Sequence, residues 1–194
     1  IDFATRTEKD EHRTLEIVRI GTCGGMQEDI PLGTFLVSEK SIGWDGVLAF
    51  YEGRDEIADL GFEDALVDFI HYPAKAARPY VVAANPELVN RIAGDDMMRG
   101  CTIAANGFYG PQGRVLRCDL AVKDINERIT DFRYEGQRIT NYEMEGSAIA
   151  GLSLLMGHKA MTVCCVIAQR KVEAANTDYK PRIKQLVQTV LERI

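Results

Sequence analysis

The sequence has 194 residues, and 23 Lys and Arg against 29 Asp and Glu give a formal net charge of -6 (23 − 29). Its hydrophobic fraction of 46% is large enough to build a buried core, which excludes general disorder. The acidic excess argues against a nucleic-acid or polybasic membrane binder, and no apolar run reaches the roughly 18 to 20 residues that a membrane helix needs.

The first third of the chain predicts two strands and one helix. Residues 14–20 have a strand pattern that is stopped by the glycine-rich turn at 21–25, and residues 33–42 form a second run of β-formers. Residues 43–61 show no lasting period and are expected to be a long loop. Residues 62–72 have apolar side chains at helical spacing, which predicts a helix.

The middle of the chain continues with short elements and a loop. Residues 79–84 are a short apolar run, and Asn85 followed by Pro86 has the pattern of a helix cap with proline in the first turn. Residues 100–105 predict another strand. Residues 106–113 contain three glycines and a proline, which indicates a loop.

The last third predicts helices on either side of a buried strand. Helices are expected over residues 120–132 and, with many small residues, over 143–156. A short strand at 138–141 lies between them. Residues 160–168 are nearly all apolar, which is typical of a strand buried on both faces, and residues 178–194 form an amphipathic pattern that predicts a final helix.

Strands that alternate with helices predict an α/β domain of three layers. The chain contains no repeat, low-complexity tract or linker, so residues 1–194 are expected to form one domain. Three histidines and five cysteines are scattered without a metal-ligand spacing or a CxxC pair. We therefore expect no metal site and no disulfide framework, and a reducing cytoplasm as the location.

The first candidate site is the stretch Arg19-Ile-Gly-Thr-Cys-Gly-Gly25. An arginine at the end of a strand is followed by a glycine turn that carries the hydroxyl of Thr22. Backbone N–H groups freed by glycines can converge on an anion, and the guanidinium adds a planar two-point donor. The alternative is that a glycine-rich connection after a strand is only a turn.

The second candidate is the loop Phe108-Tyr-Gly-Pro-Gln-Gly-Arg114. Phe108 offers a stacking face, Gln112 offers a donor and an acceptor from one amide, and Arg114 offers donors only. This set suits a flat heterocycle with carbonyl oxygens and an N–H. The alternative is a surface loop whose aromatic side chain fills a gap in the core.

The third candidate is Asn141-Tyr-Glu-Met-Glu145, where Glu143 and Glu145 flank Met144 at a predicted helix start. Acidic residues there complement the helix dipole, so capping is one interpretation. The other is that the carboxylates hold the vicinal hydroxyls of a sugar while the methionine covers its apolar face.

The three stretches occur in one order, and in this combination the chain resembles the nucleoside phosphorylase-I family from Arg19 to the last helix. Phe-x3-Gln-x-Arg is similar to the uracil-recognition loop of the family's pyrimidine-specific branch, and Asn-Tyr-Glu-Met-Glu is similar to its ribose-binding signature. The resemblance implies a three-layer αβα sandwich around a central mixed β-sheet. It also implies phosphorolysis of uridine to uracil and ribose 1-phosphate, with inorganic phosphate as co-substrate and without a cofactor.

The resemblance implies a role for each residue at a matching position. Arg19 and Thr22 would bind phosphate and, with Arg114, act in catalysis. The implied substrate contacts are Phe108, Gln112 and Arg114 for the base, Glu143, Met144 and Glu145 for the ribose, and Ile167 and Ala168 for the apolar wall under the base. The purine branch carries an aspartate just after that wall, where this chain has Gln169 and Arg170, and the difference favours a pyrimidine.

The resemblance also implies parts that this chain lacks. Family members begin with strands that carry a phosphate-binding glycine and a further arginine, whereas this sequence starts at Ile1 without a methionine. We therefore expect an incomplete phosphate site in these residues and, as the family implies, a homodimer or a hexamer built of dimers. A nucleoside-binding protein without turnover, and a purine nucleoside phosphorylase or nucleosidase on the same fold, remain alternatives.

Overall fold

A computed structural model describes residues 10–170 and 174–194. The strands are β1 (Glu16–Gly25), β2 (Phe35–Gly43), β3 (Tyr80–Ala83), β4 (Met97–Ala104), β5 (Arg133–Tyr134), β6 (Gln137–Glu143), β7 (Lys159–Gln169) and β8 (Ala174–Ala175). The α-helices are α1 (Arg54–Ile57), α2 (Leu60–Ile70), α3 (Pro86–Ile92), α4 (Ile125–Asp131), α5 (Gly146–Leu155) and α6 (Lys180–Arg193). Two short 3-10 helices cover Val47–Phe50 and Gly110–Gln112.

The strands form a mixed sheet in the order β3-β2-β4-β6-β1-β7-β8, with β5 paired to β6. The pairs β1–β7, β2–β4 and β4–β6 are parallel, and the others are antiparallel. The first half of β2 also pairs with β7, with Phe35 opposite Cys165, so that the sheet closes on itself. The predicted mixed α/β fold is confirmed, and the closure is a feature that the strand patterns did not predict.

Helices cover the sheet on more than one side. The helices α2 and α4 pack on one apolar cluster with Ile42, Ile103 and Tyr142, and α3 and α6 pack on another with Val37 and Val163. Cys164 and Cys165 belong to different clusters, as expected for neighbours on a strand, and both are buried free thiols. Among the described residues, no helix is long and apolar enough to cross a membrane.

The glycine-rich stretch at 21–25 is strand rather than a turn, which corrects the prediction. Gly21 lies opposite Cys164 of β7, and Gly24 lies opposite Tyr142 of β6. A Cβ on Gly25 would come within 2.9 Å of the Gln169 amide nitrogen, so close strand packing explains a glycine there. Pairing with β7 along the whole stretch, and with β6 at Gly24 and Gly25, holds this backbone extended although its residues have little strand preference.

Two further predicted elements are wrong in extent. The expected helix over 120–132 is helical only from Ile125 to Asp131, because Leu120 and Val122 reach the core from a non-helical segment. The expected long loop at 43–61 contains the first 3-10 helix and α1, each entered through a glycine at positive φ, Gly46 at 71° and Gly53 at 77°. The predicted cap is confirmed, since Asn85 Oδ1 accepts from the Leu88 N–H at 3.0 Å.

Candidate functional site

Arg19 of β1 lies between the two carboxylates of the third motif. Its Nη1 forms an ion pair with Glu143 Oε2 at 3.0 Å, and its Nη2 pairs with Glu145. The same Nη1 also donates to the Cys164 thiol at 3.3 Å. The structure therefore brings the predicted phosphate-binding arginine together with the predicted ribose-binding acids.

The two acids differ in burial and in what they do. Glu143 is the last residue of β6, and its side chain is 1% exposed. It accepts hydrogen bonds from the backbone N–H groups of Glu145 at 3.0 Å and Gly146 at 2.9 Å, so it caps α5 as the capping interpretation predicted. Burial raises the pKa of Glu143, and Arg19 opposes that shift. Glu145, with a side chain that is 59% exposed, is the acid accessible to a ligand.

Gln112 is the centre of the second motif. Its side chain is buried, and its Oε1 accepts from Arg114 Nη1 at 2.7 Å and from Arg170 Nη2 at 2.5 Å. Arg170 Nη1 also donates to the Gln112 carbonyl at 2.6 Å. One amide thus holds two guanidinium groups side by side.

Phe108 serves as a platform for Arg114. The guanidinium carbon of Arg114 is 3.8 Å from the centre of the Phe108 ring, and Arg114 also donates to the Phe108 carbonyl. The ring is half exposed and meets Tyr109 edge-on at 5.3 Å. The second motif is therefore a built cluster rather than a surface loop with independent side chains.

Arg170 is a site residue to which the sequence motifs gave no role. It follows β7 directly, its backbone N–H donates to the Gly25 carbonyl at 3.1 Å, and its guanidinium lies 4.7 Å from the Tyr142 ring centre. Burial, with the nearby charge of Arg114, lowers the pKa of Arg170 to about 10. The available signal was a basic residue at the end of a nearly all apolar strand, where ligands commonly bind in α/β proteins.

The cationic pair of Arg114 and Arg170 is not neutralised by any carboxylate that the structure describes. Burial also lowers the pKa of Arg114, because the site withholds solvent from its charge. Two partly buried guanidinium groups without a described carboxylate partner favour a ligand that brings carbonyl oxygens or negative charge.

The remaining predicted residues lie around these two groups. Thr22 is half-buried in β1 opposite Cys165, and Met144 is 40% exposed beside Glu145. Ala168 lies opposite Gly24, next to Arg170, whereas Ile167 packs against the cluster under α3 and α6. The structure thus brings Ala168, but not Ile167, toward the arginine pair.

The two groups contact successive residues at the end of β6. Tyr142 lies under Arg170, and the next residue, Glu143, pairs with Arg19. Two cavities, of about 900 Å³ and about 400 Å³, contain none of the arginines or acids of the motifs, although Gly110 and Pro111 of the second motif line the smaller one. Within the described ranges, no group of three or more His, Cys, Asp or Glu side chains is arranged to hold a metal ion. The charges, rather than the cavities, define the candidate site.

Comparison with known proteins identifies the family. The sequence pattern of the Phosphorylase superfamily matches residues 8–193, and the chain therefore belongs to that superfamily.

Individual relatives are more distant. Uridine phosphorylase A of Schistosoma mansoni is 28% identical over 161 residues, which cover 79% of this chain and 47% of that protein. Uridine phosphorylase of Haemophilus influenzae is 25% identical over 153 residues, 79% of this chain and 53% of that protein. The chain spans about half the length of the curated relatives it matches.

A solved structure has the same fold. A Trypanosoma brucei nucleoside phosphorylase, reported with uridine phosphorylase activity, superposes with a TM-score of 0.74 at 25% identity. The match covers 91% of this chain and 63% of that one.

Proposed function

We propose that this chain belongs to a nucleoside phosphorylase that cleaves uridine with inorganic phosphate. The observation that carries the proposal is the pair of Arg114 and Arg170 on one oxygen of Gln112, without a described carboxylate to neutralise it. Relatives named uridine phosphorylases support the same substrate. In the reaction the C1′–N1 bond breaks, its electron pair leaves with uracil, and a phosphate oxygen forms the new bond to C1′.

The leaving group is where the arginine pair acts. Uracil departs with negative charge spread over its carbonyl oxygens, and donors fixed in advance stabilise charge that develops mainly in the transition state. Arg114 and Gln112 would contact the edge of the base, with Arg170 beside them and Phe108 near its face. Ala168 would supply the apolar wall, whereas Ile167 packs against the cluster under α3 and α6 and would take no part in it.

The ribose and phosphate would lie at Arg19. Glu145 would accept hydrogen bonds from the ribose hydroxyl groups, and Met144 would cover the apolar face of the ribose. Glu143 would hold the start of α5 in place. Arg19 and Thr22 would bind phosphate. Because Glu145 pairs with Arg19 here, phosphate has to compete with that carboxylate for the guanidinium.

The end of β7 supports a pyrimidine substrate. A purine leaving group is protonated by an acid in the corresponding branch of the family, and Gln169 stands at the position after the wall. Gln169 is buried, and its amide nitrogen donates to the carbonyls of Gln27 and Ile30 at 2.7 Å each. The amide nitrogen of Gln169 therefore binds backbone carbonyls, and an amide group is not an acid that could protonate a base.

The test is release of uracil from uridine by the purified protein with and without inorganic phosphate. We expect release only with phosphate, together with an equal amount of ribose 1-phosphate. Absence of release would contradict the proposal. Equal release without phosphate would identify a nucleosidase instead.

A second candidate, nucleoside binding without turnover, is favoured by the pairing of Arg19 with two carboxylates. A phosphate site that holds its cation in this way can bind a nucleoside and still fail to orient the attack. Calorimetry with uridine, in the presence of phosphate, separates the two candidates: binding without product formation supports the second, and turnover excludes it.

We further infer a homodimer or a hexamer of dimers, and a cytoplasmic location. Phe50 and Tyr51 support an interface, because their side chains are 86% and 52% exposed at adjacent positions. Light scattering that gives the mass of a single chain would contradict the inferred assembly.

A further inference from the structure

A polar cluster that joins the half-buried Asp45 to two buried hydroxyl groups lies at the start of α5, and none of the proposed substrate contacts includes it. The Asp45 carboxylate accepts from the Val47 N–H at 2.7 Å, from the Tyr80 hydroxyl at 3.1 Å and from the Ser147 hydroxyl at 3.2 Å. The Tyr80 and Ser147 oxygens are 3.0 Å apart. Tyr80 is 1% exposed and Ser147 is fully buried. We call Asp45, Tyr80 and Ser147 the Asp45 cluster.

The surroundings of the Asp45 cluster fit its hydroxyl groups closely. A Cβ on Gly43 would lie 2.1 Å from the Tyr80 ring, so the neighbouring strand leaves room for the tyrosine only because residue 43 is glycine. Burial raises the pKa of Tyr80, which keeps its hydroxyl protonated as a donor to Asp45. Phenylalanine in place of Tyr80 and alanine in place of Ser147 would occupy nearly the same space without burying hydroxyl groups. The hydroxyl groups therefore contribute hydrogen bonds that orient the start of α5, and not apolar burial.

Ser147 connects the Asp45 cluster to the accessible acid of the site. It lies in the first turn of α5, two residues after Glu145. The Glu145 N–H donates to Glu143 Oε2 at 3.0 Å, and the Glu145 carbonyl accepts from the Ile149 N–H at 3.2 Å. The first turn of α5 therefore holds the backbone of Glu145. Ser147 connects that first turn to Asp45 and Tyr80.

We propose that Asp45, Tyr80 and Ser147 are positioning residues that set the direction in which Glu145 meets the ribose. The inference rests on the proposed role of Glu145 in holding the sugar hydroxyls. The three side chains act on the substrate only through α5. Their loss lowers transition-state binding by misplacing one carboxylate, because small displacements of a positioning group are costly.

A double-mutant cycle between Tyr80→Phe and Glu145→Gln tests this role. We expect Tyr80→Phe alone to lower kcat/KM for uridine by about tenfold, and by less than about twofold when Glu145 is already glutamine. A purely structural role predicts the opposite, since the effects of independent changes multiply. Equal factors in the two backgrounds would overturn the proposal, as would no effect of Tyr80→Phe alone.

Two further variants keep the cycle interpretable. Tyr134→Phe changes a half-buried tyrosine that packs on Phe62 away from α5, and we expect it to leave kcat/KM unchanged. If Tyr80→Phe lowers the thermal midpoint more than this control does, Ser147→Ala takes its place in the cycle, with the same expectations. Failure of the wild type to release uracil contradicts the proposed function itself, whereas multiplying factors contradict only the positioning role.

Discussion

The proposed base side and the proposed ribose side of the candidate site use arginine in opposite ways. On the base side, Arg114 and Arg170 share the oxygen of Gln112, and no described carboxylate pairs with them. On the ribose side, Arg19 is held between Glu143 and Glu145. The first arrangement presents positive charge that a ligand can neutralise. The second is already neutralised by the protein.

This difference separates two tasks of a phosphorolysis site. Donors for a leaving anion act best when they are fixed and unpaired before the reaction, because they then need no reorganisation. A cation for phosphate that is paired with carboxylates has to exchange a partner when the phosphate binds. The base side is therefore prepared for its ligand, and the ribose side has to rearrange.

The largest effect is expected from removing Arg114, the member of the arginine pair that stacks on Phe108. We expect Arg114→Ala to lower kcat/KM for uridine by roughly thirtyfold or more, because leaving-group stabilisation is lost in the transition state. This factor corresponds to an activation barrier that is higher by about 2 kcal/mol. Steady-state assays of uracil release measure this. The control is Arg117→Ala, an exposed arginine in the same loop. If Arg114→Ala kept the wild-type kcat/KM, the proposal that Arg114 stabilises the leaving group would be wrong.

A smaller effect is expected on the ribose side from Glu145→Gln. The change removes a charged hydrogen-bond acceptor for the ribose, which should lower kcat/KM by about tenfold. It also frees Arg19 from one carboxylate, so the apparent affinity for phosphate should rise. Titration of activity with phosphate, with the exposed Glu28→Gln as control, checks both parts. Weaker phosphate binding in Glu145→Gln would show that the carboxylate does not compete for Arg19.

The smallest change in activity is expected for Arg170→Met. Both Nη atoms of Arg170 already donate to Gln112, which leaves fewer donors for the base, so a loss of about fivefold in kcat/KM is expected. The folded pKa of about 10 lies below the ordinary value for arginine. The charged form therefore lowers the free energy of unfolding at neutral pH, and this penalty is relieved as the pH rises through about 10.

Thermal unfolding of Arg170→Met checks that sign. At neutral pH its midpoint should be at or above that of the wild type, and the difference should shrink as the pH is raised through about 10. A midpoint clearly below the wild type at neutral pH would mean that Arg170 stabilises the fold and is not held there at a cost.

Local patterns predicted the elements better than the contacts between them. The buried strand after residue 159 and the last helix are confirmed, because their periodicity extends over a whole element. The glycines at 21–25 were predicted as a turn, since the pairing with β6 and β7 that extends them comes from more than a hundred residues away. The closure of the sheet by β2 and β7 has the same origin.

The motifs predicted which residues lie close together better than they predicted the contacts that each residue makes. Gln112, Arg114 and Glu143 are brought together with their expected neighbours, but Arg170 became visible only when β7 placed it over Tyr142. The capping and ribose interpretations of the third motif were alternatives for both acids. Burial divides them, because Glu143 caps α5 and Glu145 remains accessible.

We propose that the arginine pair, which has no described carboxylate partner, selects a pyrimidine leaving group. The most direct test supplies uridine and inosine together at equal concentration with inorganic phosphate and follows both released bases by chromatography. We expect uracil as the main product of the wild type, and we expect this preference to be lost in Arg114→Ala. Hypoxanthine as the main product, or a preference that Arg114→Ala leaves intact, would contradict the proposal.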